Sequence, residues 1–209
     1  MNNQKGKAVA LQGSFRKTGF TTILLKYTSE KLVSAGYEVE YINLHEKNID
    51  YCKGCRKCLE TCECIFKSDD MPEITSKIKG TDLIILAAPV YWANVPAVVK
   101  NLFDRLNGAA MEETDKFPKP RLKGKRYLFI TACHTPFFFA WLCGQTGGAI
   151  RATREFFKTA GVKKAGIVVL TNSGANKNSL DKQKKKIDKI IKGLQYGKKN
   201  KGRSKCTSK

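Results

Sequence analysis

The sequence predicts an α/β domain in which helices cover both faces of a parallel β-sheet. Its 209 residues match the size of a single domain, which is roughly 100–200 residues. Short apolar runs typical of strands alternate five times with segments of helical periodicity, which favours parallel strands joined by helical crossovers. The most apolar run, 82–89, has the composition of a central strand covered on both faces.

The remaining elements follow from local patterns along the chain. The run 38–44 alternates polar and apolar residues and is therefore expected at a sheet edge. The second helix is expected to start at Asp69 and Asp70, with Pro72 in its first turn. The segment 108–125 is polar and contains two prolines, so it is interpreted as a surface connection. The predicted strands are 7–13, 38–44, 82–89, 126–132 and 166–170, and the predicted helices are about 22–36, 69–80, 96–106, 147–160 and 179–195.

Positive charge is concentrated near the C-terminus. The chain has 39 Lys and Arg against 18 Asp and Glu, a net charge of +21, and residues 177–209 hold 13 of the basic and 2 of the acidic residues. Such a segment attracts phosphates, nucleic acid or anionic membranes. No aromatic residue is interleaved in 197–209 to stack on bases, so nucleic-acid binding is not expected. We predict a domain over 1–196 and a disordered basic tail over 197–209.

The sequence predicts a cytoplasmic protein. Residues 1–6 lead into an apolar run too short for a signal peptide, and no run reaches the roughly 18 apolar residues of a membrane span. Membrane attachment is therefore not expected. Disulfides are disfavoured in the cytoplasm, so the eight cysteines suggest metal or redox chemistry instead.

Five of the eight cysteines lie between Cys52 and Cys64. The spacing Cys52-x2-Cys55-x2-Cys58 places three thiols on a short loop, as for an iron-sulfur cluster, and Cys62 or Cys64 could complete the set. Cys64 is preferred, because in two-cluster ferredoxins a cysteine three residues further on serves the other cluster. Zinc bound by four thiolates and free, redox-active thiols are the open alternatives.

Ligands of such sheets bind beyond the carboxyl ends of the strands, where the strand order reverses. The loop after the first strand offers four hydroxyls, a guanidinium and the N–H groups of a helix start, which together suit a phosphate monoester. The patterns Gly-x4-Gly-Lys-Ser/Thr and Gly-x-Gly-x-x-Gly are both missing, which disfavours ATP and a Rossmann dinucleotide. The candidate residues of this loop are Ser14, Arg16, Thr18, Gly19, Phe20, Thr21 and Thr22.

Two further loops are candidates for binding a flat ring. The loop after the third strand contains adjacent aromatic residues, which can stack on a ring while backbone groups meet its polar edge. The loop 132–142 is more apolar than exposed loops usually are, so we expect it to be buried against a cofactor or another subunit. No acyl-transfer triad is recognisable. The candidates are Pro89, Val90, Tyr91 and Trp92 in one loop and Thr131, Ala132, Cys133 and His134 in the other.

Four motifs follow one another along the chain: Gly13 to Thr22, Asp69-Asp70-Met71, Ala88 to Trp92 with Pro96-Ala97, and Lys100-Asn101-Leu102-Phe103-Asp104-Arg105. Together they resemble the NADPH-dependent FMN reductase family of flavodoxin-like proteins. The resemblance spans about residues 7–172 and implies a flavodoxin-like, doubly wound, five-stranded parallel sheet of order 2-1-3-4-5. The sequence departs from the family at Phe15 and Phe20, where Pro and Asn are frequent; this departure concerns one side-chain contact to phosphate and leaves the backbone cradle.

The resemblance also implies roles for the candidate residues. The first loop would hold the FMN phosphate through Ser14, Arg16, Thr18, Thr21 and Thr22, and 89–92 would line the isoalloxazine. The cysteine spacing x2, x2, x5 is similar to the iron-sulfur flavoproteins, a branch with a [4Fe-4S] cluster beside FMN. The cluster would then be bound by Cys52, Cys55, Cys58 and Cys64.

By this resemblance the protein is expected to be an FMN-dependent oxidoreductase. Electrons would pass between NAD(P)H or a ferredoxin-like donor and a quinone, a flavin or another small acceptor, and no side chain need act as acid or base. A homodimer or homotetramer is expected, with the cysteine loop and the loop 132–142 over a neighbouring subunit's flavin. The alternative is a non-catalytic FMN electron carrier without a cluster.

Overall fold

A computed structural model describes residues 5–172 and 177–199. The strands are β1 (Gly6–Gln12), β2 (Tyr37–Asn43), β3 (Leu83–Pro89), β4 (Met111–Glu112), β5 (Lys119–Pro120), β6 (Arg126–Ala132) and β7 (Lys163–Leu170). The helices are α1 (Phe20–Ser34), α2 (Cys58–Thr61), α3 (Met71–Gly80), α4 (Ala97–Arg105), α5 (Asn107–Ala110), α6 (Phe137–Leu142), α7 (Gln145–Thr159) and α8 (Lys177–Lys199), with a 3-10 turn at Leu44–Glu46.

The main sheet has five parallel strands in the order β2-β1-β3-β6-β7. This is the predicted flavodoxin-like order 2-1-3-4-5 when the strands of this sheet alone are counted, so the predicted fold is confirmed. The order reverses between β1 and β3, where doubly wound sheets bind their ligands. The central strand β3 buries 83–88 completely, whereas the edge strand β2 exposes Glu38 and Tyr41, in agreement with the two sequence patterns.

The side chains of each strand point alternately into two apolar layers, one on each face of the sheet. On β1, Val9 and Leu11 face the layer under α3, α4 and α7, and Ala8 and Ala10 face the layer under α1 and α8. A strand reverses its side-chain direction at every residue, so a run of apolar residues is needed where both faces are covered. The far edge of the sheet, at β7, begins with exposed Lys163, and a charged edge residue discourages pairing with another chain.

Two connections are more ordered than the sequence indicated. Within 108–125, the short helix α5 buries Gly108, Ala109 and Ala110, and β4 and β5 then pair as an antiparallel hairpin. The interpretation of 108–125 as a surface connection is therefore wrong at its start. The segment 137–142, which was expected to continue a loop, forms α6. A run of six apolar residues can satisfy its backbone hydrogen bonds as a helix, and periodicity cannot show this over so short a length.

The last helix, α8, buries Ile187, Ile191 and Leu194 against the sheet. It continues to Lys199, so the first three residues of the predicted tail are helical, and 200–209 lie outside the described residues. The division at residue 196 stays a prediction. Among the helices of 5–172 and 177–199, none has the length and apolarity needed to cross a membrane.

Candidate functional site

Three loops start side by side at the carboxyl edge of the sheet. The backbone N–H of Gly13, just after β1, donates to the carbonyl of Ala87 on β3 at 2.8 Å. The N–H of Val90, just after β3, donates to the carbonyl of Ala132 on β6 at 2.9 Å. The loops after β1, β3 and β6, which were singled out from the sequence, therefore lie next to one another at the reversal of strand order.

The loop after β1 is held in shape by its own polar groups. Buried Gln12 donates through Nε2 to the carbonyl of Ser14 at 2.7 Å and accepts a hydrogen bond from the Tyr41 hydroxyl. The Thr22 hydroxyl donates to the carbonyl of Arg16 at 2.8 Å, and the N–H of Arg16 donates to Ser14 Oγ at 3.3 Å. The loop is thus fixed by buried hydrogen bonds before any ligand is considered.

The helix α1 begins at this loop with free backbone donors. Its N-cap is Gly19, which has no side chain to cap the helix, and its first turn contains no acidic residue. A Cβ on Gly19 would come within 3.2 Å of Arg16 Cβ and 3.6 Å of Ser14 Oγ, so a side chain there would crowd the loop. The positive end of a helix dipole with uncapped N–H groups suits an anion. The FMN phosphate fits this position.

The hydroxyl and cationic candidates divide by exposure. Ser14, Thr21 and Thr22 are buried at the base of the loop, whereas Arg16 and Thr18 are exposed at its rim and Phe20 is half-buried at the start of α1. The Ser14 and Thr22 hydroxyls order the loop through their hydrogen bonds, and the exposed pair is free to approach an anion from solvent.

The loop after β3 turns sharply at its two aromatic residues. Tyr91 and Asn94 exchange backbone hydrogen bonds of 2.9 Å, and the turn between them has positive φ at Trp92 (49°) and Ala93 (56°). Residues other than glycine seldom adopt this region, and such strain occurs frequently at functional sites. Trp92 is 102% exposed, so its ring contacts little of its own chain. A Cβ on Gly148 would lie 1.9 Å from the Ala93 carbonyl oxygen, so α7 packs directly on this turn.

The end of β6 is buried, and the loop after it opens to solvent. Thr131 and Ala132, the last two residues of β6, and Cys133 after them are buried, and burial raises the pKa of the Cys133 thiol. His134 is exposed. The hydroxyl of Thr131 is buried, and no hydrogen-bond partner for it exists among the described residues. Of these four candidates, His134 alone is exposed to a ligand that approaches from solvent.

The cysteine loop, residues 51–67, leaves the sheet after β2 and carries α2. Burial raises the pKa of the Cys58 thiol most, the backbone N–H of Gly108 opposes this through a hydrogen bond, and Cys64, Cys52 and Cys55 raise it further by charge repulsion. Those three thiols are thus close enough to Cys58 to act on it electrostatically. Cys62 lies in a left-handed conformation, and its sulfur is 3.9 Å from the Glu60 carbonyl oxygen.

The four cysteines predicted as ligands fit an iron-sulfur cluster by the chemistry of their donors. Four soft thiols lie in one loop, and a backbone N–H already points at the sulfur of Cys58. In the part of the chain that the structure describes, no three His, Cys, Asp or Glu side chains have a geometry that could hold a metal ion. Cys52 and Cys55 are exposed on the stretch 51–56, which lacks regular secondary structure. The donor set is therefore compatible with an iron-sulfur cluster, with zinc and with free thiols.

A glycine on α5 fixes the position of Cys58. A Cβ on Gly108 would lie 2.0 Å from the Cys58 carbonyl oxygen and 2.5 Å from its carbonyl carbon. Backbone atoms cannot move aside as a flexible side chain could. The contact between α2 and α5 therefore requires glycine at this position.

Two polar residues of α4 anchor the cysteine loop, and sequence reasoning gave them no role. Asn101 accepts from the Cys52 N–H at 3.3 Å and donates to the Ile49 carbonyl at 3.1 Å. Arg105, one turn further along, is 2% exposed and forms an ion pair with Asp69 whose two side chains are each 1% exposed. The available signal was an Asn and an Arg, four residues apart, on the buried side of a helix that is otherwise apolar there.

An open groove of about 580 Å³ lies beside the cysteine loop. Cys52 and Gly54 border it on one side, and the stacked rings of Phe103 and Phe156, 4.2 Å apart, form part of its wall. None of the residues lining this groove belongs to the three loops at the carboxyl edge of the sheet. The groove is therefore separate from the predicted FMN site.

An open parallel sheet with its ligand loops at the reversal of strand order defines the flavodoxin-like class of proteins. A sequence model described as NADPH-dependent FMN reductase matches residues 7–137. The chain belongs to this family, as its motifs predicted.

Two curated relatives are named as iron-sulfur flavoproteins. An iron-sulfur flavoprotein from Archaeoglobus fulgidus is 39% identical over 119 residues, which cover 57% of this chain and 50% of that protein. Iron-sulfur flavoprotein MJ1083 from Methanocaldococcus jannaschii is 39% identical over 99 residues, which cover 47% of this chain and 51% of that protein. The predicted resemblance to iron-sulfur flavoproteins is confirmed, although the chain spans only about half the length of these curated relatives.

A solved structure agrees with the fold. The NAD(P)H:quinone oxidoreductase from Methanothermobacter marburgensis matches with a TM-score of 0.73 at 16% identity, covering 90% of this chain and 98% of that one. At this level of identity the likeness concerns the fold alone.

Proposed function

We propose that the protein is an FMN-dependent oxidoreductase that passes electrons from NAD(P)H or a ferredoxin-like donor to a quinone, a flavin or another small acceptor. The observation that carries the proposal is the meeting of three ligand loops at the reversal of strand order, one of them leading into an uncapped helix N-terminus. Membership of the NADPH-dependent FMN reductase family supports FMN as the cofactor and NAD(P)H as its reductant.

The loop residues bind and orient FMN. The first N–H groups of α1 and the exposed side chains of Arg16 and Thr18 meet the phosphate, while Ser14, Thr21 and Thr22 keep the loop in shape. The segment 89–92 lines the ring. The adjacent end of β6 and the start of the loop after it hold Thr131, Ala132, Cys133 and His134. When bound, FMN supplies the redox chemistry, and the protein supplies position and electrostatics.

The second part of the proposal is a [4Fe-4S] cluster on Cys52, Cys55, Cys58 and Cys64. The placement of all four thiols in one loop, 51–67, at the spacing x2, x2, x5 supports this ligand set. The names of the relatives, iron-sulfur flavoproteins, point the same way. Zinc binding and free thiols are the alternatives that metal analysis distinguishes.

Self-association is the third part of the proposal. Apolar side chains stand exposed around the predicted ring site, and a patch of this kind is typical of an interface. The residues are Tyr91, Trp92, Phe138, Phe139 and Leu142, with exposures between 51% and 102%. A homodimer or homotetramer would cover them and bring loops of one subunit over the flavin of its neighbour. Light scattering on the FMN-loaded protein measures the state directly, and a monomer would contradict this part.

The test is a visible absorption spectrum with iron and acid-labile sulfide analysis on protein purified without oxygen. Flavin bands and about four iron per chain are expected, together with NAD(P)H oxidation in the presence of a quinone. Flavin without iron would leave an FMN reductase whose cysteines bind zinc or nothing. Flavin without turnover from any donor would favour the non-catalytic electron carrier. Failure to take up FMN would overturn the proposal.

A further inference from the structure

The base of the cysteine loop is closed by one guanidinium. Arg105 donates through Nη1 to the carbonyl of Asp50 at 2.6 Å, on the chain entering the loop. It donates through Nη2 to the carbonyl of Phe66 at 3.0 Å, on the chain leaving the loop. The two ends of 51–67 are therefore held by the same planar group, through two different nitrogens in a fixed geometry.

The same guanidinium is locked in orientation by a buried carboxylate. Arg105 Nη1 donates to Asp69 Oδ2 at 2.5 Å, and Nη2 donates to Asp69 Oδ1 at 3.1 Å. The two residues thus form a bidentate ion pair in which both side chains are 1% exposed. Asp69 also accepts from the N–H of Asp50 at 3.0 Å and from the N–H of Met71 at 3.1 Å. The Arg105–Asp69 pair thus joins α4, the start of α3 and both ends of the loop.

One donor of this guanidinium is left over. Arg105 Nε is buried, and no hydrogen-bond partner for it exists among the described residues. Cys64 lies two residues before Phe66, whose carbonyl Arg105 already binds. Burial tends to lower the pKa of Arg105, while Asp69 and Cys64 raise it above its usual value. Buried N–H groups are rarely unpaired, so a donor in this position calls for an acceptor.

We propose that Arg105 is a positioning residue for the cysteine loop, closing its base through Asp50, Phe66 and Asp69 and donating its remaining N–H to the sulfur of Cys64 in the cluster-bound protein. The inference rests on the proposed [4Fe-4S] site and adds a group that orients and tunes one of its ligands. Hydrogen bonds to cysteine sulfur stabilise the more negative, reduced state and therefore raise the reduction potential.

Two variants test this without leaving a buried charge unpaired. Arg105→Lys keeps the positive charge but replaces the fork by one nitrogen, which cannot serve Asp69, both carbonyls and Cys64 together. Arg105→Gln combined with Asp69→Asn removes both charges of the pair, so the net local charge is unchanged. The matched control is Arg56→Gln, which removes an exposed cation of the same loop that pairs with Glu113.

The first readout is amide hydrogen exchange of 51–67, measured on metal-free and on reconstituted protein. We expect exchange at least tenfold faster in the double variant, an intermediate rate in Arg105→Lys, and unchanged protection in β3 and in Arg56→Gln. Equal protection of 51–67 in all proteins would overturn the proposal, and so would loss of protection in β3 as well, because Arg105 would then serve the fold in general.

The second readout is the midpoint potential of the cluster, followed by its spectrum under controlled potential. Both Arg105 variants should shift it to a more negative value, with the FMN potential unchanged and with Arg56→Gln at the wild-type value. A wild-type cluster potential in both Arg105 variants would overturn the sulfur contact. If the wild-type protein takes up no cluster, the proposed cluster fails, and the exchange measurement on metal-free protein decides the role of Arg105.

Discussion

The two candidate ligand regions are organised by different kinds of contact. The loop after β1 is short, leads directly into α1 and is held by hydrogen bonds between near neighbours in sequence. The cysteine loop lacks regular structure over 51–56 and is anchored by side chains of α4, above all by a buried ion pair. The first region is therefore preformed by regular elements, whereas the second depends on distant polar groups and should be the more easily disrupted.

The largest effect should come from removing the buried acid of the second region. Asp69→Ala leaves the Arg105 guanidinium buried without its counter-ion, and such changes cost about 3–5 kcal/mol. Urea denaturation measures the free energy of unfolding. The matched control is Asp104→Ala, which breaks an exposed pair with Lys100 and should cost at most about 0.5 kcal/mol. Equal losses in the two variants would show that the buried pair does not anchor this region.

Lowering the pH should weaken the same ion pair, with a smaller loss of stability than in Asp69→Ala. Burial alone would raise the pKa of Asp69, but hydrogen bonds from Arg105 and two backbone N–H groups lower it below its usual value. A depressed folded-state pKa contributes stability that is present above the unfolded value, about 3.9, and is lost as pH falls through the folded value. The free energy of unfolding should therefore decline below about pH 4, and Asp69→Asn should decline less steeply.

The carboxylate of Glu73 also loses its charge in acid, so its contribution to stability must be separated from that of Asp69. Hydrogen bonds from Lys47 and Lys77 lower the pKa of Glu73 to about 2. The acid titrations are best compared in a Glu73→Gln background. If Asp69→Asn does not change the pH dependence of the free energy of unfolding in that background, the loss of stability in acid cannot be assigned to Asp69.

A glycine substitution should disturb the cysteine loop through packing. Gly108→Ala would place a Cβ 2.0 Å from the Cys58 carbonyl oxygen, and overpacking of this kind costs about 1–3 kcal/mol. Iron uptake should fall with it, because Cys58 is displaced. Gly193→Ala on α8 meets nothing within 4 Å and should stabilise the helix by about 0.5–1 kcal/mol. Normal iron uptake by Gly108→Ala would argue against Cys58 as a ligand.

A smaller effect is expected in the first region. Thr22→Val keeps the shape of the side chain but removes the hydrogen bond to the Arg16 carbonyl, at a cost of about 1 kcal/mol. FMN affinity, measured by fluorescence titration, should fall because the loop loosens. Thr28→Val removes a buried hydroxyl bond to the Leu24 carbonyl further along α1 and should leave FMN affinity unchanged. If the two variants bind FMN equally well, the loop after β1 does not form the phosphate site.

The smallest effect on stability is expected at the exposed aromatic of the loop after β3. Trp92→Ala should change the free energy of unfolding by less than about 0.5 kcal/mol, since the side chain contacts little of its own chain. FMN affinity should fall by about 2- to 10-fold if the ring stacks on the isoalloxazine. Phe117→Ala, at a position 83% exposed in the β4–β5 connection, is the control. Unchanged FMN affinity in Trp92→Ala would remove this residue from the site.

Much of the fold and of the first ligand region could be predicted from the sequence. The apolar run 82–89 indicated a central strand and the alternation in 38–44 indicated an edge strand, because side-chain direction follows position along a strand. The loop 13–22 was recognisable because its hydroxyls and the helix start are adjacent in sequence. The helix at 137–142 was missed because a uniformly apolar run of six residues has no period to read.

The sequence by itself determined the alternation of strands and helices, the loops that meet at the carboxyl edge, and the family, since all of these depend on local patterns and motifs. Only the tertiary structure decided which residues hold the cysteine loop. Arg105 contacts Asp69 and Asp50, which lie 36 and 55 positions away in sequence, and no local pattern encodes such a pairing. In the sequence alone, Arg105 cannot be told from a surface cation. Packing buries it, and a buried charge is stable only when it is paired and hydrogen-bonded.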